Sequence, residues 1–269
     1  AAIKSRTQHP NELGQIPVIM YHAIGAKSSR GVRYDKHGLN IAPETLRNQL
    51  RLMYEANWYP INMREMLSPN LNVPLGKTPV VLTFDDARGT QFTYLADGSL
   101  DPDCAVAILE EFHRQHPDWP LKASFYVLPK SKYNPTPFYQ PGLEAKKLNY
   151  LVQRGFEVAN HSTSHRMMRT LNAEQLRWEM AECVRYVRQR APGATMDTMA
   201  LPGGSTPRTA ELFDVLLNGT EGGTTYHNLC ILRAWGDTTY PPAHKKFDIK
   251  DIKRIGADPG YIEGWIKRL

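Results

Sequence analysis

The run Val80-Val81-Leu82-Thr83-Phe84 is apolar and β-branched, and it ends on two adjacent acids, Asp85 and Asp86. Such a run reads as a buried strand. Two carboxylates placed at its end are costly unless a metal ion or strong hydrogen bonds compensate them. A second short strand pattern, Glu157-Val158-Ala159-Asn160, delivers His161-Ser162-Thr163-Ser164-His165. The three hydroxyl residues between these histidines favour a loop over a helix. Either pair alone has a bland reading, as a helix cap or a solvated face. Together at strand ends, two imidazoles and one carboxylate form a donor set for a divalent metal with open positions, and the other carboxylate is left as a base.

The elements around these motifs alternate between strand and helix, which predicts a parallel sheet or barrel. Expected strands are 16–22, 58–61, 80–84, 123–128, 157–160, 198–201 and 229–235. Expected helices begin at Ala42-Pro43, near Met63, at Asp101-Pro102-Asp103, at Glu144, after the cap Asn172, at Thr209 and after Gly260. Pro early in the first turn and acids beside it are the signals used for the helix at 101. Gly155 is the expected stop of the helix from Glu144. Strand ends on the rim of an α/β barrel are where such folds keep their chemistry. The expected fold class is thus α/β, a single domain over 1–269 with an N-terminal extension at 1–15.

Composition narrows the function classes. Hydrophobic residues make up 41% and charged residues 22% of the chain, as in an ordinary globular protein. No apolar run approaches the roughly 18 residues of a membrane span. The abrupt start Ala1-Ala2-Ile3-Lys4 suits a mature or truncated chain. The 33 basic and 27 acidic residues give a net +6, an excess that favours an anionic surface or polymer. The basic residues fall in short clusters (Lys146-Lys147, Lys245-Lys246, Lys253-Arg254), sparser than a nucleic-acid stripe, so no nucleic-acid partner is expected. Cys104, Cys183 and Cys230 show no zinc spacing and read as buried small side chains.

The motifs resemble those of the polysaccharide deacetylases, carbohydrate esterase family 4. Thr83-Phe84-Asp85-Asp86 and His161-Ser162-Thr163-Ser164-His165 match the family's first two motifs, and Leu201-Pro202-Gly203-Gly204 looks like its third. The opening Pro17-Val18-Ile19-Met20-Tyr21-His22 is similar to the circularly permuted branch. The resemblance covers about 17–207 and weakens in the last third. It implies a distorted TIM-like barrel of about seven strands, (β/α)7, with metal ligands Asp86, His161 and His165 and Asp85 as general base. The metal would be zinc first, with cobalt, nickel or iron as alternatives. It would acidify a water and polarise an acetyl carbonyl, Asp85 would take the water's proton, and the Gly203 amide would steady the oxyanion.

The family commonly takes its general acid from a C-terminal histidine, and none follows Asp248 here; the resemblance to the permuted branch implies the first-strand histidine, His22, in that role. Pro202, Arg233 and Trp235 are the expected substrate contacts. The sequence departs from the family at Ala200, where an arginine that orients the base commonly stands; Arg233 or Arg208 would have to replace it. The implied partner is a polysaccharide or oligosaccharide, and the implied location is extracytoplasmic, secreted or in the cell envelope. Three functions stay open: N-deacetylation of a glucosamine polymer, O-acetyl esterase action on a xylan-type polymer, and weakly catalytic carbohydrate binding. His113 and His116 read as a solvent-facing helix end, and Asp97, Asp101 and Asp103 as an incomplete calcium loop.

Overall fold

Period-two alternation in the strands and 3.6-residue stripes in the helices define a layered α/β structure, described by a computed structural model. It describes residues 7–8, 14–28, 31–32, 37–69, 71–131, 135–258 and 260–269. The elements run β1 (Val18–Tyr21), α1 (Pro43–Glu55), β2 (Trp58–Ile61), α2 (Met63–Met66), β3 (Thr78–Asp85), α3 (Ala105–Gln115), β4 (Ser124–Val127) and α4 (Glu144–Gln153). There follow β5 (Glu157–Asn160), α5 (Ala173–Arg190), β6 (Met199–Ala200), α6 (Ala210–Leu217), β7 (Ile231–Leu232), β8 (Ile255–Gly256) and α7 (Tyr261–Ile266).

Seven strands follow one another through the main sheet in the order β7-β6-β5-β4-β3-β1-β8, and β2 pairs with the first half of β3. Every pairing is parallel. The curled sheet forms the distorted barrel expected of the chain. One segment bridges its two edges: Ile252 pairs with Leu232, and three residues later Ile255 pairs with Ile19. Most of the extension at 1–15 lies outside the described residues; within it, Thr7–Gln8 pairs with Val73–Pro74.

Alternation along the strands sorts the core. Val80, Leu82 and Phe84 pack outward with Leu46, Leu50 and Met53 of α1, together with Phe125, Val158 and the buried stripe of α5. Val81, Tyr126, Ala159, Ala200, Leu232 and Ile252 form a second cluster inside the barrel. On β3 this puts Thr83 and Asp85 on the interior face, and on β5 it puts Glu157, Ala159 and the following His161 there. Function therefore depends on the parity of each strand.

Several boundaries shift. The helix expected from Asp101 starts at Ala105, because Asp101 closes a separate turn first: its carboxylate accepts from the Asp103 amide at 2.9 Å and its carbonyl from the Cys104 amide at 3.0 Å. The strand expected over 229–235 shortens to β7, since Arg233 and its neighbours turn toward Ile252. A hairpin of Asn218–Glu221 with Thr224–His227 follows α6 directly; its Gly222-Gly223 pair is a turn signal the sequence reading passed over. Asn172 does cap α5, accepting from the Gln175 amide at 2.9 Å, and Gly155 ends α4 at φ 85°.

Candidate active site

The interior face at the carboxyl ends of β1, β3 and β5 carries the chemistry. Successive strand residues point to opposite faces, so Asp85 and Asp86 would diverge in a regular strand. A left-handed backbone at Asp86 (φ 74°) and Ala87 (φ 47°) breaks the alternation and keeps both carboxylates at one site. Ser162 (φ 65°) and His165 (φ 59°) do the same for the histidine loop. Asp86 Oδ1 consequently lies 3.2 Å from both His161 Nε2 and His165 Nε2. Strained backbone of this kind persists where surrounding structure over-determines it.

The three donors fit a divalent ion. Their candidate ligand atoms all lie within 4.8 Å of one another. His161 Nδ1–H donates to the Ala200 carbonyl at 2.9 Å, which fixes the tautomer and turns the Nε2 lone pair toward Asp86. That Nε2 is buried and has no hydrogen-bond partner, the condition of an imidazole prepared for a metal. Burial disfavours charge on His161, but the Asp85 and Asp86 carboxylates outweigh it and raise its proton affinity. The same surroundings favour a cation. Asp86 is held far below the usual carboxylate range: burial opposes this, but its contacts with His161 and His165 prevail. Its other oxygen accepts from Arg88, Nε at 3.0 Å and Nη2 at 2.8 Å.

Asp85 has a different partner. Arg254, fully buried just before β8, donates Nη1 to Asp85 Oδ1 at 2.8 Å and Nη2 to Oδ2 at 2.7 Å. A third bond runs from Nη1 to Thr83 Oγ1 at 3.1 Å. Burial alone would raise the Asp85 pKa; the guanidinium reverses the sign and lowers it. Arg254 therefore takes the base-orienting position expected of Arg233 or Arg208. Arg233 instead pairs its side chain with Asp251 at 2.6 Å, and its carbonyl accepts from Arg254 Nε. Arg208 is exposed. In sequence Lys253-Arg254 is a short basic cluster; the signal for burial is Ile252 and Ile255 around it, a strand pattern that turns residue 254 inward with Ile252.

His22 follows β1 and brings Nε2 to 4.0 Å from Asp85 Oδ2. Burial lowers its proton affinity and the Asp85 carboxylate opposes that effect. Its Nδ1 has no hydrogen-bond partner. Gln91, fully buried, donates Nε2 to the His22 carbonyl at 2.8 Å and the Asp85 carbonyl at 2.6 Å, tying β1 and β3 at the rim.

The third motif forms a short turn, Pro202–Gly204, in which Gly203 has φ 57°. It begins two residues after Ala200, whose carbonyl holds His161. Pro202 is buried and Gly203 faces solvent. A β-carbon at 203 would sit 3.2 Å from Met167 Sδ, against the histidine loop. Trp235 is half exposed, and its ring lies over Gly256, where a β-carbon would meet Cζ3 at 2.7 Å. The structure thus gathers Asp85, Asp86, His161, His165 and His22 in one place, sets Gly203 and Trp235 on the rim, and turns the Arg233 side chain to Asp251.

Two supporting groups escaped the sequence reading. Glu179 of α5, fully buried, accepts from the Thr163 amide (3.0 Å), the Ser164 amide (2.9 Å) and the Ser164 hydroxyl. It holds the histidine loop from behind. Lys147 of α4, also fully buried, donates to the carbonyls of Phe92 (2.6 Å) and Phe138 (3.0 Å), joining the loops after β3 and β4. Both lie on helix faces that otherwise read as core.

A parallel barrel whose rim presents one carboxylate, two imidazoles and an arginine-held second carboxylate defines a metal-dependent hydrolase. The polysaccharide deacetylase profile matches residues 72–216, more than half of the chain, and the chain belongs to that family. The deacetylase PplD of Streptococcus pyogenes, solved in complex with acetate, aligns with 94% of this chain and 97% of its own (18% identity, TM-score 0.68). The polysaccharide deacetylase BC0361 of Bacillus cereus covers 94% of this chain and 68% of its own (15% identity, TM-score 0.67). IcaB of Ammonifex degensii covers 94% and 96% (15% identity, TM-score 0.61). At these identities the likeness is one of fold. No curated protein sequence matches the chain.

Proposed function

We propose that the protein removes N-acetyl groups from a glucosamine-containing polymer, such as peptidoglycan, a chitin-like chain or an exopolysaccharide. The observation that carries this reading is the division of labour between the two acids. Asp86 faces two imidazoles, while Asp85 is held by Arg254 with its charge kept toward the site. Asp86, His161 and His165 would hold a divalent ion, zinc first, which supplies acidification of water and polarisation of the acetyl carbonyl.

In this reading Asp85 accepts the proton of the attacking water, and Arg254 keeps its carboxylate oriented and ionised. The Gly203 amide steadies the carbonyl oxygen as negative charge develops. His22, beside Asp85, protonates the departing amine. Pro202 and Trp235 wall the acetyl group and the sugar ring. The bidentate Asp85–Arg254 pair supplies what Ala200 lacks, and this favours an active enzyme over a weakly catalytic binding relative. The position of His22 on the first strand, next to β3, supports the permuted branch. A polymer substrate of this type places the protein outside the cytoplasm, secreted or in the cell envelope. Among the described residues no helix is long and apolar enough to cross a membrane.

The test is acetate release from N-acetylglucosamine oligomers, peptidoglycan and acetylated xylan, with chelator and then with re-added zinc or cobalt. Metal-restored release from the amides supports the proposal. Release from acetylated xylan alone assigns the site to O-acetyl esters, and release from none of them overturns both readings.

A further inference from the structure

Three consecutive rim loops are unusual in charge. The segments 128–143 after β4, 161–172 after β5 and 201–209 after β6 contain Lys130, Lys132, Arg166, Arg169 and Arg208 and no acid. Lys132 lies outside the described residues. The other four are exposed, and among the described residues none of them forms an ion pair. This differs from Arg47, Arg51, Arg64, Arg114, Arg154 and Arg185, each of which has an acidic partner on the helical flank.

The loops form one surface. The Lys130 amide donates to the Thr163 carbonyl at 3.1 Å, between the two metal-facing histidines. The Arg169 amide donates to Ser205 Oγ at 3.2 Å, joining the histidine loop to the turn that carries Gly203. Arg166 directly follows His165. What sets these three loops apart is the lack of any acid: the loops around β7 and β8 mix Arg233, Lys245, Lys246, Lys250, Lys253 and Arg254 with Asp237, Asp248, Asp251 and Asp258.

A purely N-acetylglucosamine polymer gives this surface nothing to bind electrostatically. Its deacetylated product is worse, because each hydrolysed amide leaves an ammonium that the same cations repel. Exposed unpaired cations beside a catalytic centre raise the local concentration of anions and are screened by salt. We infer that the substrate is a polyanionic glycan, in which N-acetylhexosamine units alternate with or carry carboxylate or phosphodiester groups that lie over the β4–β6 loops. This inference rests on the deacetylase reading and narrows its substrate class. A polyanion also resolves the product problem, since each new ammonium is offset by the polymer's own charge.

The experiment compares three probes on the metal-loaded enzyme at low and at about 0.5 M salt: neutral chitin hexamer, a polymer alternating N-acetylglucosamine with glucuronic acid, and a phosphodiester-linked N-acetylhexosamine polymer. Binding of the same probes to Asp85→Asn, measured by calorimetry, is read beside acetate release. We expect either anionic polymer to bind at least about tenfold tighter than the hexamer at low salt, with the advantage lost at high salt. The double reversal Arg169→Glu with Arg208→Glu should lower the anionic-to-neutral affinity ratio by about tenfold or more, with metal content retained. The two anionic arms separate carboxylate from phosphate recognition. Equal or tighter salt-independent binding of the hexamer overturns the inference, as does a ratio unmoved by the double reversal. Absence of acetate release with preserved polyanion binding would overturn the deacetylase reading and leave the charge inference standing.

Discussion

Arg254 closes on Asp85 from 169 residues away in sequence, with two near-parallel bonds of 2.8 and 2.7 Å to its two oxygens. The pair lies inside the barrel with both side chains essentially inaccessible. Removing one partner of such a pair leaves the other charge buried and uncompensated. Arg254→Met should therefore cost about 3–5 kcal/mol in stability by denaturant unfolding. Arg254→Lys keeps the charge but loses the fork. It should fold and lower kcat by about 10²-fold or more, with metal content unchanged. A Lys variant with full kcat would show that Arg254 does not orient the base.

The two acids should separate by assay. Asp86→Ala and His161→Ala are expected to abolish metal uptake measured by elemental analysis after dialysis. Asp85→Asn should retain metal and lose turnover, because it is placed as proton acceptor rather than donor ligand. Full metal content in both His161→Ala and His165→Ala would sink this arrangement.

His22 faces Asp85 at 4.0 Å and does not belong to the donor cluster. His22→Ala is expected to keep its metal and to slow amide hydrolysis by about 10²–10⁴-fold. An acetate ester has a better leaving group and should be slowed less. Equal slowing of amide and ester substrates would remove His22 from the acid role.

Glu179 holds the histidine loop through two amides and a hydroxyl. Glu179→Ala strands the buried Thr163 N–H, at a cost of about 1–3 kcal/mol, and the half-buried Ser164 N–H at less. The loop that carries both imidazoles should loosen, and metal affinity should fall about 10–100-fold in a chelator competition. Unchanged affinity in a folded Glu179→Ala protein would limit Glu179 to a packing role.

Lys147 gives a pH test away from the metal ligands. Burial pushes its pKa down from 10.5 to about 8, because the charged form is poorly solvated there. Between those values the unfolded chain binds more protons than the native one, so this residue's contribution to stability rises with pH. Below pH 8 Lys147 is charged in both states and the penalty is present in full. Lys147→Met leaves the Phe92 and Phe138 carbonyls without this donor and should destabilise the protein by about 1–3 kcal/mol at pH 7. The wild-type-minus-variant difference in unfolding free energy should grow from pH 8 to 10.5. A flat difference would contradict the depressed pKa.

The sequence by itself determined the strands that lead into Asp85-Asp86 and His161, the capped helix Ala173–Arg190, and the presence of two histidines and an acid pair at strand ends. These features were legible because they are local. Alternation sets strand parity, Asn172 and Gln175 close a capping box within four residues, and the His-x-x-x-His spacing needs only one loop. What only the tertiary structure decided was which distant side chains complete the site. In sequence Arg254 and Lys147 belong to short basic clusters and Glu179 is one more residue of a long helix. Each is buried because a polar group from a remote element meets it: Asp85 for Arg254, the Thr163 and Ser164 amides for Glu179, and the Phe92 and Phe138 carbonyls for Lys147. A charge is buried only where such partners converge, and that convergence is a property of the closed barrel that no single segment contains.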